Sequence, residues 1–344
     1  MLAPPQSVLI RPRAMAWWLL GVAGLVLVMI VVGGITRLTE SGLSITRWDP
    51  VTGAIPPRDE ADWQAAFDLY RESPQYRQVN RGMSLEDFKF IYFWEYIHRL
   101  LGRVIGLAFA LPMLWFAWKR AIPRGYGWKL AALFLLGGLQ GAIGWWMVAS
   151  GLVDQPEVSH VRLAVHLLMA LAIFGALIWV ALDLRTLARS PVARPARIGL
   201  TGIWALSLLA VQMLFGAYVA GLEAGYAFNS WPLMGEELFP AATQWMEPFA
   251  RNFVDNPIVV QFVHRWMAFV AAAAIGLLAW QAWRAGRRGP AGLLAGAVMV
   301  QILLGIATIM TGVQLWLGVA HQGMAALLLA AVLLTAHRLG ERAA

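Results

Sequence analysis

The chain has 344 residues, of which 60% are hydrophobic and only 13% charged, about half the charge of an ordinary soluble domain. Most of it therefore cannot face water, and the lack of cysteine excludes both a disulfide framework and thiolate-ligated metal. The net charge of +8 lies where a lipid-facing rim would put it, which argues for contact with anionic lipid and against nucleic acid.

Eight apolar runs reach the roughly 20 residues needed to cross a bilayer. They fall near 15–35, 91–117, 129–149, 161–182, 198–220, 258–283, 291–313 and 316–338. The first follows "RPRAMAWW", exceeds a signal-peptide core and lacks a small-residue cleavage site, so it is expected to be retained. Basic residues sort to one side: Arg11 and Arg13, Lys119 to Lys129, Arg185 to Arg197, Arg284 to Arg288, and Arg338 with Arg342. These make fifteen cations against Asp183 and Glu341. The positive-inside rule then predicts cytoplasmic termini at both ends. The fold class expected is an all-α polytopic membrane protein, N-in and C-in.

The basic, proline-containing segment "LRTLARSPVARPARIG" (184–199) reads as a linker between two similar units, 1–190 and 191–344. Spans two and six share a His-Arg pair, His98-Arg99 and His264-Arg265. Spans three and seven share Gln-x-x-x-Gly, at Gln140/Gly144 and Gln301/Gly305. Spans four and eight carry His166 and His321 near their outer ends. Three matches in one order predict a duplication, giving two parallel four-helix repeats. The long outer segments 36–90 and 221–257 are expected to act as lids.

His98, His166, His264 and His321 are expected at similar depth, about two turns below the outer surface. His160 and His337 read as solvated or interfacial residues. An isolated buried histidine in a membrane protein is ordinarily just hydrogen-bonded to a neighbouring helix. Four at matched depth, two per unit, point to ligation, and two imidazoles from facing helices suit haem iron. Zinc or copper fits less well with two ligands per unit, and a proton relay needs no such symmetry. Gly137, Gly138, Gly141 and Gly144, with Gly305 and Gly312 in span seven, leave room for a planar ring or for close helix packing.

Arg99 and Arg265 point about 100° away from the preceding histidine, and either reach a haem propionate or snorkel to headgroups. Glu95 lies three residues before His98, on the same helix face, where the second unit has Gln261 before His264. An intramembrane carboxylate can accept a proton or stabilise a developing cation, and it can also simply pair with Arg99.

At these residues the sequence resembles the haem A synthase family. The matching stretches include "GGITRLTESGLSITRWDPVTGAIPP" (33–57), "FKFIYFWEYIHRLLGR" (88–103), "LQGAIGWWMVASGL" (139–152), "FNSWPLM" (228–234), "DNPIVVQFVHRWMAF" (255–269) and "LGIATIMTGVQLWLGVAHQ" (304–322). The resemblance implies oxidation of the C8 methyl of haem O to a formyl group by successive hydroxylations. It implies haem O between His98 and His166, a haem b cofactor between His264 and His321, and Glu95 as the essential acid. It further implies a bacterial inner-membrane location with the haem sites towards the periplasm. Expected associates are haem O synthase and cytochrome oxidase assembly factors, with a homo-oligomer left open. Some relatives carry a cysteine pair in the outer loops; its absence here resembles the proteobacterial and mitochondrial type. With both axial positions filled by histidine, O2 reaches the iron only if a ligand leaves; the alternative is water attacking an oxidised methyl, with Glu95 as base or cation stabiliser, and the two oxygen sources both stay open. A di-haem electron-transfer cytochrome and a haem-transfer scaffold remain alternatives.

Overall fold

The computed structural model describes residues 10–49, 52–153 and 155–341. Its α-helices, in chain order, are α1 (Pro12–Leu38), α2 (Glu60–Arg71), α3 (Pro74–Gln78), α4 (Leu85–Trp118), α5 (Gly127–Val148), α6 (His160–Arg189), α7 (Leu200–Gly221), α8 (Asn252–Asp255), α9 (Pro257–Arg284), α10 (Arg288–Met310) and α11 (Leu315–Gly340). Eight of them are long and apolar enough to cross a membrane, one for each predicted span. No regular strand occurs among the described residues. With backbone polar groups satisfied inside each helix, this is one of the two architectures hydrocarbon tolerates.

Polar caps set the N-terminal ends of three spans. Ser84 accepts from the N–H of Asp87, Ser159 from Arg162, and Asn256 from Ile258 and Val259. The cap at Ser84 starts α4 six residues before the predicted 91. The extra turns stay helical because Phe88 and Ile91 bury against Phe67 and Tyr70 of α2 in a separate outer cluster. Hydropathy alone missed this, since Glu86, Asp87 and Lys89 make the added turns polar and their one buried residue, Phe88, packs on α2.

The ends of the spans that carry the basic loops are tied together across the chain. Arg11 N–H donates to the Ala121 carbonyl, and Arg197 N–H to that of Gly340. Exposed tryptophans there carry cations over their rings: Lys119 over Trp118 at 4.1 Å, Arg185 over Trp17 at 5.4 Å and Arg284 over Trp280 at 5.5 Å. Such amphipathic pairs belong at a membrane–water boundary. Leucines such as Leu107, Leu111 and Leu135 stay exposed along the helix flanks, as lipid-facing residues do.

Two apolar cores divide the bundle. One gathers α1, α4, α5 and α6 with the face of α11 that touches them. The other gathers α7, α9, α10 and α11. Helices α1, α6 and α11 are the most enclosed and line the seam between the cores.

Three expectations need correction. His337 is 1% exposed, not solvated: its Nε2 lies 3.0 Å from the Asp183 carboxylate, which Lys129 approaches at 3.5 Å. A carboxylate buried on α6 needs partners, and α11 and α5 bring them. His160, which the span bounds near 149 and 161 leave in a loop, is the first residue of α6, with Nε2 3.1 Å from Asp255. Gly312 lies beyond α10 in the tight turn to α11, at φ +68°, where glycine is needed for a left-handed backbone and leaves no room in the bundle.

Candidate haem sites

Helices α4, α6, α9 and α11 each carry a histidine, His98, His166, His264 and His321, that meets a glycine on the span before it. A Cβ placed on Gly144 would lie 2.9 Å from Cε1 of His166, on Gly216 2.9 Å from that of His264, and on Gly305 2.8 Å from that of His321. On Gly33 it would lie 3.2 Å from Cε1 of His98. These are notches in which the imidazole rests on bare backbone.

A glutamine one turn before the glycine completes three of the notches. The amide nitrogens of Gln140, Gln212 and Gln301 lie 3.1, 3.1 and 3.2 Å from Nδ1 of His166, His264 and His321. Each also donates to the carbonyl of its histidine. The Gln-x-x-x-Gly spacing read on spans three and seven thus recurs on span five as Gln212/Gly216. Sequence reading missed that copy, although the motif itself was the signal. Gly33 was missed because Met29 occupies the glutamine position before it.

The donor set fits haem. The rings of His264 and His321 have centroids 6.4 Å apart and planes at 87°. Two imidazoles bound to one metal at about 2.0–2.1 Å per nitrogen place their centroids about 6 Å apart. An imidazole that gives Nε2 to a metal carries its proton on Nδ1 and needs an acceptor. The Oε1 atoms of Gln140, Gln212 and Gln301 are all buried without a partner, so each notch holds an unused acceptor. His98 lies within electrostatic range of His166, and its Nδ1 is buried and unpartnered. Gly137, Gly138 and Gly141 face open space, with nothing within 4 Å of a Cβ on any of them.

Above the histidines, each core is closed by a clasp between a helix and an outer loop. Glu95 is 3% exposed. Its Oε2 accepts from the Ser44 hydroxyl and the Ile45 N–H, both at 2.7 Å. Its Oε1 accepts from Nε and Nη2 of Arg99 at 3.0 and 2.6 Å. Arg99 also donates to the carbonyls of Ile45 and Arg47. In the other half Gln261 donates to the Phe228 carbonyl at 3.0 Å. Arg265 reaches the carbonyls of Phe228, Ser230 and Leu233. Both arginines are therefore fixed to loops, not extended to headgroups. The Arg265 Nε remains buried and unpartnered.

The Glu95/Gln261 difference follows the polarity of the loops. The loop at 44–45 presents a hydroxyl and an N–H, which require an acceptor. The loop at 228 presents a carbonyl, which requires a donor. A cavity of about 400 Å³ opens beside the first clasp, lined by Arg47, Asp49, Arg58, Tyr92, Arg99 and Arg103 among others.

Comparison with known proteins places these features in context. The family model described as a cytochrome oxidase assembly protein, COX15-CtaA, matches residues 16–333. A protein named heme A synthase from Rhizorhabdus wittichii is 57% identical over 340 residues, covering 99% of this chain and 98% of that protein. One of the same name from Sphingopyxis alaskensis is 51% identical over 344 residues, 100% of this chain and 97% of that protein. Another, from Rhodospirillum centenum, is 51% identical over 341 residues, 98% and 91% of the two chains.

Proposed function

This chain belongs to the COX15-CtaA family of cytochrome oxidase assembly proteins, and we infer from its relatives that it is a haem A synthase, a membrane oxidoreductase converting haem O to haem A. The observation that carries the reading is the set of four imidazoles in four glycine notches, with the His264 and His321 rings at the spacing a bis-histidine iron demands.

Within this reading the segment 1–190 holds the substrate and 191–344 the cofactor. His98 and His166 bind haem O, and His264 and His321 bind haem b. Bound haem supplies one-electron redox chemistry, and haem O supplies the C8 methyl that becomes the formyl group. Arg99 and Arg265 stand at the rims of the two sites, and the unpartnered Nε of Arg265 can meet a propionate.

Glu95 is held by four donors, so taking up a proton requires one of them to leave. Without that movement it acts as a fixed negative charge that stabilises positive charge developing at the oxidised methyl. The fifteen cations that the sequence assigns to one side, of which Arg342 lies outside the described residues, support an N-in, C-in orientation in the inner membrane, with the notches towards the periplasm. Its associates on this reading are the enzyme that supplies haem O and the cytochrome oxidase that takes haem A, with self-association left to measurement.

Pigment analysis tests the assignment. The protein is expressed in a host that makes haem O but has no haem A synthase of its own, and haems extracted from its membranes are separated by chromatography. Haem A or a hydroxylated haem O is expected beside haem b. Haem b alone would instead mark a di-haem electron-transfer cytochrome.

A further inference from the structure

Three of the four imidazoles share one set of neighbours, and His98 does not. Gln140, Gln212 and Gln301 each stand one turn before the notch glycine, with the amide 3.1–3.2 Å from Nδ1. Before Gly33 the same position is Met29, and Nδ1 of His98 is buried with no partner. A thioether is at most a weak acceptor, and here it makes no hydrogen bond to the ring.

The exchange is built into the packing. A Cβ on Gly102 would lie 3.5 Å from Cε of Met29. Gly102 follows His98 by four residues, and the corresponding positions after the other three histidines are Ala170, Ala268 and Ala325. Glutamine with alanine at three sites thus becomes methionine with glycine at one.

A ligating histidine is oriented by the group on its other nitrogen, and losing that group typically costs about 10–100-fold in metal affinity. A cofactor has to stay, whereas a substrate has to enter and its product has to leave. We propose that Met29 is a positioning residue that leaves His98 the one releasable imidazole, so that the first half exchanges its haem on the His98 side while His166 and the second half stay fixed. This rests on the reading that His98 and His166 hold haem O.

The test uses the purified holoprotein and two readouts other than turnover. Cyanide is titrated into the oxidised protein and followed by absorbance, and haem transfer to added apomyoglobin is timed. In the wild type one haem is expected to bind cyanide and to transfer, while the other does neither. Met29→Gln, alone and with Gly102→Ala to restore the local set, should slow transfer and weaken cyanide binding by about 10–100-fold. Gln301→Met should make the second haem exchange. Met29→Leu, which adds no hydrogen-bonding group, should behave as the wild type does. The proposal is overturned if both haems of the wild type resist cyanide, if Met29→Gln exchanges as fast as the wild type, or if Met29→Leu slows exchange as much as Met29→Gln. His98→Ala separates the underlying reading: an unchanged first-half haem spectrum in that variant means that His98 is no ligand, and the assignment of the site fails before Met29 is considered.

Discussion

Glu95 carries two accounts, and its four hydrogen bonds decide how to separate them. Glu95→Gln keeps the volume but turns one acceptor into a donor. That donor then faces either Arg99 or the Ser44–Ile45 edge, so the substitution removes charge and disturbs the clasp together. Ser44→Ala disturbs the clasp while leaving the charge in place. If the carboxylate takes part in the chemistry, Glu95→Gln should lower haem A by about 10²–10⁴-fold with haem b near normal. Ser44→Ala should then lower it far less. Equal losses would make Glu95 a tether. The glycine notches permit a graded test. Alanine at Gly216 or Gly305 puts a methyl 2.9 or 2.8 Å from the imidazole and must push the ring away. Overpacking of this kind costs about 1–3 kcal/mol, and on the proposed reading the ring displaced is a haem ligand. Haem b per protein should fall steeply in both variants, while Gly33→Ala, with 3.2 Å available, should lose less of its haem. Full haem b content in Gly305→Ala would rule out the notch as the seat of a ligand.

Between elements, the inner ends are held by one buried acid. Asp183 on α6 is 3% exposed and meets His337 of α11, Lys129 of α5 and the N–H of Ala196 in the linker. Asp183→Ala strands these partners at once and is expected to destabilise the protein by about 3 kcal/mol. A lower Tm in detergent, with the haem ratio unchanged below the transition, is the expected result; an unchanged Tm would show that the cluster is bystander charge. This cluster also shows where sequence reading stopped. Helix positions were legible because eight apolar stretches of membrane length announce themselves locally. The Gln-x-x-x-Gly repeats on spans three and seven were legible for the same reason. The Asp183–His337 pair, 154 residues apart in the chain, has no local pattern. Neither has the contact between Glu95 and Ser44, 51 residues apart. His337 consequently read as a solvated or interfacial tail residue, and Arg99 and Arg265 as free to reach a propionate or the headgroups.

At the scale of the molecule, the repeat is finer than two halves of four spans. Four hairpins, α1 with α4, α5 with α6, α7 with α9 and α10 with α11, each seat one histidine on one glycine. Pairing the hairpins gives two sites with the same skeleton and different finish. The second has an amide beside both histidines and a neutral Gln261 clasp. The first has an amide beside His166 only, a carboxylate in its clasp and the cavity next to Arg99. A symmetric pair of electron-transfer haems needs no such division, whereas a fixed cofactor beside an exchanging substrate does. Ligand removal should therefore act unequally. On the proposed reading His264→Ala and His321→Ala should deplete haem b, and conversion should fail with it. His98→Ala and His166→Ala should keep haem b near its normal stoichiometry while haem O conversion falls below detection. Haem b measured by its pyridine spectrum, with haem O and haem A by chromatography of the same extracts, reads both effects in one preparation. Equal loss of haem b from all four variants would mean that the two hairpin pairs bind alike, and the division of labour between them would have to be abandoned.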